Sequence, residues 1–121
     1  MRLIVRTTGK LLASEVEIAD TFWRRFRGLM LRRSFPRGSA LLFKLVRPGR
    51  YGVHMFFVRF PIDLLYLNEN FVVVDICRAL KPWRIHRPKA KASYIVELPA
   101  GTVSRARVKL GQKIVPVKHK S

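Results

Sequence analysis

The 121-residue chain has one cysteine, seven acidic residues and no long apolar run, and each shortage excludes a class of protein. A lone Cys77 cannot form an internal disulfide and excludes a zinc site made of four cysteines. No apolar stretch reaches membrane-spanning length, and residues 1–5 lack the apolar core of a signal peptide. We therefore expect one cytoplasmic domain over residues 1–121, stabilised by packing, with 118–121 as a frayed tail.

The sequence also lacks the short motifs of several functional classes. It contains neither Gly-x-Ser-x-Gly nor Gly-x-Gly-x-x-Gly, so a nucleophile elbow and a dinucleotide-binding loop are not indicated. Helix-turn-helix, zinc-finger and RNA-recognition signatures are absent as well. The sequence predicts no cofactor, no metal site and no catalytic residue.

Positive charge is the most unusual property that the sequence does have. Its 25 Lys and Arg residues against 7 acids give a formal net charge of +18. Residues 21–62 hold ten bases and no acid, whereas residues 63–75 hold three acids and no base. Such a charge attracts nucleic acid and other polyanions, although a host proteome rich in basic surfaces explains it equally well.

Hydrophobic alternation and turn residues predict two β-hairpins. The first joins Leu3–Arg6 to Leu11–Ile18, and the second joins Ile62–Leu67 to Phe71–Cys77 across an asparagine-rich turn. Further strands are predicted over 40–46, 52–58, 94–98 and 113–117. About eight short strands predict a mainly β (α+β) domain, a small closed or partly open barrel, because closure removes exposed edges.

One amphipathic helix is predicted after the N-cap pair Asp20-Thr21. Its apolar stripe repeats at helical spacing and consists of Phe22, Trp23, Phe26, Leu29 and Met30. Arginines occupy the opposite side, where they stay solvated or contact phosphate. A single helical turn is predicted over Thr102–Arg107.

Three ordered motifs connect the chain to a known family. They are Arg27–Met30, His54–Asp63 and Glu97–Gly101. Together they resemble the domain-of-unknown-function 192 family over roughly residues 11–115. The resemblance implies a small β-rich domain, and it brings no activity and no catalytic residues with it.

A ligand pocket is the first functional hypothesis, with His54, Phe56, Asp63, Trp83 and Glu97 as its candidate residues. Aromatic walls with a carboxylate suit a small ligand or peptide. Asp63 has a structural alternative as an acceptor of backbone N–H bonds, and a buried Glu97 requires a partner such as an arginine. If both acids met in one cleft, they would form an acid–base pair or a divalent-metal site.

Metal binding and nucleophilic catalysis are weaker hypotheses. His54, Met55, Cys77 and His86 are ligand types that copper(I) or zinc accepts, yet adjacent strand residues face opposite sides and no ligand spacing is recognisable. Cys77 ends an apolar run, which favours a buried small side chain over a reactive thiolate.

Polyanion binding is the second functional hypothesis, and the loop Lys81–Lys91 carries most of it. Cations that surround Trp83 are typical of single-strand-binding surfaces, where phosphates meet the cations and a base stacks on the ring; the alternative is that Trp83 covers the barrel end. The candidate contacts are Arg24, Arg25, Arg84, Arg87, Lys89 and Lys91. We favour a non-enzymatic binding module of unknown ligand, with sequence-tolerant nucleic-acid binding as the alternative.

Overall fold

The computed structural model describes residues 1–19, 29–30 and 32–118. Ten strands and one short helix lie within this part of the chain: β1 (Arg2–Val5), β2 (Leu11–Ala13), β3 (Glu15–Ala19), β4 (Ser39–Gly49), β5 (Val53–His54), β6 (Ile62–Leu67), β7 (Val73–Leu80), β8 (Ile85–His86), β9 (Ala92–Pro99), α1 (Thr102–Ala106) and β10 (Ile114–Val117). Most of the predicted amphipathic helix, with Arg24 and Arg25, and most of the predicted tail lie outside the described residues.

The strands form three sheets. A central sheet has the order β3-β4-β9-β6-β7, a second sheet has the order β10-β1-β2, and β5 pairs with β8 in a two-stranded ribbon. Strands β3 and β4 are parallel, and the other pairs are antiparallel. The prediction of a mainly β domain with a helical turn after β9 is confirmed. The pairings of the described strands leave these sheets open, so the closed barrel is not confirmed.

The predicted opening hairpin is correct only in its first half. Strand β1 pairs with β2, but the predicted second strand divides at Ser14. The N–H groups of Ser14 and Glu15 both donate to the carbonyl of Gly38, at 2.8 and 3.0 Å. This contact directs β3 into the central sheet beside β4.

The predicted hairpin between β6 and β7 is confirmed, and its turn is held by Asn68. The Asn68 Oδ1 accepts hydrogen bonds from the N–H groups of Asn70 and Val72, at 2.9 and 3.0 Å. The left-handed residue of this turn is Phe71, with φ 61°, and not an asparagine. Asn68 therefore acts through its side-chain hydrogen bonds.

The central sheet is buried on both faces. One face, called the α1 face here, packs against the β10-β1-β2 sheet and α1, and its core includes Leu65, Val96, Leu98 and Val103. The other, called the ribbon face, packs beneath the β5–β8 ribbon, and its core includes Leu41, Met55, Leu64, Tyr66 and Ile95. Within the described residues, no helix has the length and apolar character that crossing a membrane requires.

Candidate functional site

The β5–β8 ribbon positions a group of aromatic side chains at the surface. Val53 pairs with His86 and His54 pairs with Ile85. Backbone bonds continue the pairing past the strands, because the Trp83 N–H donates to the Met55 carbonyl at 2.8 Å and the Met55 N–H donates to the Arg84 carbonyl at 2.8 Å. The Met55 side chain is fully buried in the ribbon-face core and anchors the ribbon.

Four rings on this ribbon form one cluster, which we call the aromatic platform: His54, Phe56, Phe57 and Trp83. Ring centroids are 5.0 Å apart for His54 and Phe56, 5.9 Å for Phe56 and Trp83, and 4.9 Å for Phe57 and Trp83. The exposed fractions are 39% for Phe56, 51% for Phe57 and 59% for Trp83. The platform is therefore a surface of ring faces and edges and not an enclosed pocket.

Two platform residues have a backbone conformation that bulky side chains rarely adopt. Phe57 has φ 61° and Trp83 has φ 66°, both in the left-handed region. Each such residue costs about 1–3 kcal/mol and persists only where the surroundings enforce it. Strain of this kind concentrates at binding sites, so the platform is the strongest candidate site on the described surface.

Exposed bases lie on residues 81–91, the predicted loop, which contains Trp83 and in the structure also contains strand β8. They are Lys81, Arg84, Arg87, Lys89 and Lys91. The loop is held at its far end, where Arg50 Nε donates to the Pro88 carbonyl at 3.0 Å and the Lys89 N–H donates to Asp75 Oδ2 at 2.8 Å. In the described part of the chain the ion pair found is Arg32 with Glu17, so the charges of this loop face solvent unpaired.

Asp63 has a structural role on the α1 face. Its side chain is 1% exposed, and its oxygens accept three backbone N–H bonds, from Ala79 at 2.8 Å, Gly101 at 3.1 Å and Val103 at 2.9 Å. Gly101 is the N-cap of α1 and has no side chain that could accept a capping hydrogen bond. Asp63 on β6 caps the helix instead. The structural alternative from the sequence describes Asp63 better than the pocket hypothesis.

The bond to Ala79 also explains an irregularity in the sheet. Ile62 pairs with Leu80 and Leu64 with Cys77, so two residues of β7 lie opposite Asp63. This extra residue forms a β-bulge, in which Ala79 has a left-handed backbone with φ 50°.

Glu97 lies on the opposite face of the sheet. It is 7% exposed and sits between Leu41 and Leu64 on the neighbouring strands. Burial raises the pKa of Glu97 to about 8, against a smaller lowering by the charge of Arg32. Among the described residues no hydrogen bond or ion pair reaches this carboxyl group, so the expected arginine partner is not found there.

Asp63 and Glu97 therefore do not share a cleft. Asp63 pairs with Leu98 and Leu64 pairs with Glu97, and neighbouring residues of a strand point to opposite faces. The acid–base or metal pair considered from the sequence is not brought together. In the described ranges, no group of three or more His, Cys, Asp or Glu side chains is arranged to hold a metal ion.

His86 and Cys77 also have structural surroundings on the ribbon face. The His86 Nδ1 is 2.9 Å from the hydroxyl of the fully buried Tyr66. Burial raises the pKa of the Cys77 thiol, and the charges of Asp63 and Asp75 raise it further. A raised pKa disfavours the thiolate, and Cys77 is half-buried against the ribbon-face core rather than fully buried as the sequence predicts.

The structure thus brings together three of the five pocket candidates, His54, Phe56 and Trp83. Asp63 lies on the other face of the sheet, and Glu97 is buried between Leu41 and Leu64 and is not one of the platform residues. Sequence reasoning missed Phe57. The predicted strand over 52–58 concealed it, because the structure ends β5 at His54 and places the adjacent pair Phe56-Phe57 in a turn with both rings exposed.

Comparisons with known proteins identify the family to which this chain belongs. The model of DUF192, described as an uncharacterized ACR, matches residues 3–116. UPF0127 proteins of Thermococcus sibiricus and Pyrococcus furiosus are 42% and 44% identical, over 93% and 89% of this chain and 72% and 91% of theirs.

Two crystal structures share the fold. A proposed transcription regulator from Sinorhizobium meliloti has a TM-score of 0.83 at 27% identity, covering 94% of this chain and 89% of that one. A protein of unknown function from Novosphingobium aromaticivorans has a TM-score of 0.84 at 19% identity, covering 95% and 84%. Because the family model spans residues 3–116, nearly the whole length, this chain belongs to the DUF192 family.

Proposed function

We propose that this protein is a binding module that holds single-stranded nucleic acid on the aromatic platform. The observation that carries the proposal is the exposure of three large rings, two of them on strained backbone, beside a loop whose cations form no ion pair with the described residues. Burial cannot be the reason for this arrangement, since Phe57 and Trp83 are each more than half exposed. Binding a partner that stacks on the rings supplies a reason.

Stacking and charge neutralisation together select this ligand class. A nucleobase stacked on an aromatic side chain contributes about 1–3 kcal/mol, and every base has a face that can stack. Under this proposal, the cations of the loop meet the phosphates between stacked bases. A duplex keeps its bases inside the helix. It would therefore contact the cations through its phosphates, but its bases would not stack on the rings.

The structural neighbour from Sinorhizobium meliloti, described as a proposed transcription regulator, gives limited additional support. That protein shares the fold at 27% identity, and its description concerns regulation of transcription. The description belongs to that protein. For this chain, the argument depends on the platform and on the net charge of +18.

Fluorescence anisotropy with labelled single-stranded DNA, single-stranded RNA and duplex DNA tests the proposal. We expect single strands to bind more tightly than duplex, and more tightly than to a control protein of matched charge. Trp83→Ala should weaken single-strand binding about 5- to 100-fold and leave duplex binding unchanged. Leu110→Ala is the matched control, because Leu110 is another exposed apolar side chain, on the segment after α1.

Charge is tested separately with a double substitution. Arg84→Ala with Arg87→Ala should reduce the slope of log affinity against log salt by about 1.4 for single strands, from about 0.7 for each phosphate contact. Lys109→Ala with Lys118→Ala removes the same charge at exposed positions beyond α1. Equal loss in the two double variants, or binding by Trp83→Ala equal to the wild type, would refute nucleic-acid binding at the platform and leave a peptide or small ligand as its occupant.

A further inference from the structure

A second surface, on the α1 face of the molecule, also has the composition of a binding site. A groove of about 330 Å³ lies between β2, the segment before β4 and α1. We call it the basic groove and define it by Lys10, Leu12, Arg37, Thr102, Arg105 and Ala106. Its volume lies at the lower end of the range of about 300–1,000 Å³ that small-molecule pockets occupy.

The charges of the basic groove all have one sign. Its lining contains Lys10, Arg37 and Arg105, and no acidic residue. Glu15 adjoins the groove through its backbone bond to Gly38 but lines a separate hollow with Arg32, and the two oxygens of Asp63 are occupied by backbone N–H groups. Three cations converging without a counter-charge favour an anion, and a dianion balances them better than a monoanion does.

Arg105 is positioned toward the start of its own helix. Its Nη2 lies 3.3 Å from Thr102 Oγ1, which itself donates to the Pro99 carbonyl at 2.7 Å. The guanidinium also lies against Gly101, where an added Cβ would come within 2.9 Å of Nη1. Gly101 has φ 93°, so both its conformation and this close approach require glycine.

The floor of the basic groove is apolar. Leu12, Ala13 and Ala106 line it, and all three belong to the buried core of the α1 face. A ligand that fits therefore has two parts, an anionic group that meets the cations and an apolar body that covers the floor.

We propose that the basic groove binds a small phosphate monoester, with the phosphate between Arg37 and Arg105 and the organic group on the apolar floor. Guanidinium groups bind phosphate oxygens in pairs, which suits a fixed arginine such as Arg105. The proposal does not depend on nucleic-acid binding, because the platform lies over the opposite face of the central sheet.

Isothermal titration calorimetry of the full chain at constant ionic strength tests the proposal with three probes: phenyl phosphate, inorganic phosphate and benzoate. We expect saturable binding of phenyl phosphate that is at least about tenfold tighter than binding of the other two, since each lacks one of the two required parts. Arg37→Gln with Arg105→Gln should weaken phenyl phosphate binding about 10- to 100-fold. Lys109→Gln with Lys118→Gln removes the same charge at exposed positions outside both the groove and the platform and should leave this binding unchanged.

Chemical-shift mapping on the wild-type chain gives a second measurement that needs no variant to fold. Amide shifts caused by phenyl phosphate should be confined to residues 10–13, 37–38 and 102–106. Equal weakening in both double variants, equal affinity for phenyl phosphate and inorganic phosphate, or shifts centred on the Lys81–Lys91 loop would each overturn the assignment.

Discussion

Removing the Asp63 carboxylate should destabilise the fold more than any other change of a single polar side chain described above. Its three hydrogen bonds come from Ala79, Gly101 and Val103, and the side chain is 1% exposed. Hydrogen bonds to a charged group contribute about 1.5–3 kcal/mol each, but they are not additive and the N–H groups of α1 regain some water. We therefore expect Asp63→Asn to lower the free energy of unfolding by about 3–5 kcal/mol.

Urea unfolding followed by far-ultraviolet circular dichroism measures this loss, and the melting temperature should fall by roughly 10–20 °C. Glu69→Gln is the matched control, because it removes one negative charge from an exposed turn and should change stability by less than about 0.5 kcal/mol. A loss below about 1 kcal/mol for Asp63→Asn would refute the role of Asp63 as the cap of α1. A gain in stability would indicate instead a carboxylate held for a ligand.

Three further changes test other parts of the structure. Burial raises the pKa of Glu97 from its ordinary 4.5 to about 8, so the folded chain holds this proton more tightly and unfolding becomes easier as pH rises between these values. Glu97→Gln should flatten that fall, measured by urea unfolding at pH 5 and pH 8; an unchanged slope would contradict the raised pKa. Tyr66→Phe removes the hydroxyl beside His86 and should cost about 0.5–1.5 kcal/mol by the same assay, with no loss arguing against the hydrogen bond. Arg84→Ala with Arg87→Ala should leave the melting temperature within about 2 °C of the wild type, since both side chains are exposed; a sharp drop would show that they pair with acids.

The features that the sequence predicts correctly are local ones. The β6–β7 hairpin follows from alternation on both sides of Asn68, and strand β9 follows from a short apolar run between turns. The division of the second predicted strand at Ser14 depends on the carbonyl of Gly38, which lies 24 residues further along the chain. Alternation alone does not reveal which neighbour a strand will choose.

The candidate sites also divide into features set by residues near in sequence and features set by distant ones. His54 and Phe56 lie two residues apart, and pairing of β5 with β8 brings Trp83 to them, so the sequence identifies most of the platform. The partners of Asp63 at Gly101 and Val103 are 38 and 40 residues away, and no spacing rule connects them. The cations of the basic groove come from three separate segments, so only folding brings them together.

The family motif from His54 to Asp63 serves two different physical purposes at its two ends. At its end, Asp63 is buried and joins β6 to the start of α1 through Gly101 and Val103, which stabilises the fold. At its start, Phe57 adopts a left-handed backbone and exposes its ring, which costs stability. A segment that held only a structural role would bury Phe57 or replace it with glycine, because either change would remove the cost. The proposed binding function accounts for the exposed, strained end, whereas the hydrogen bonds of Asp63 account for the buried end.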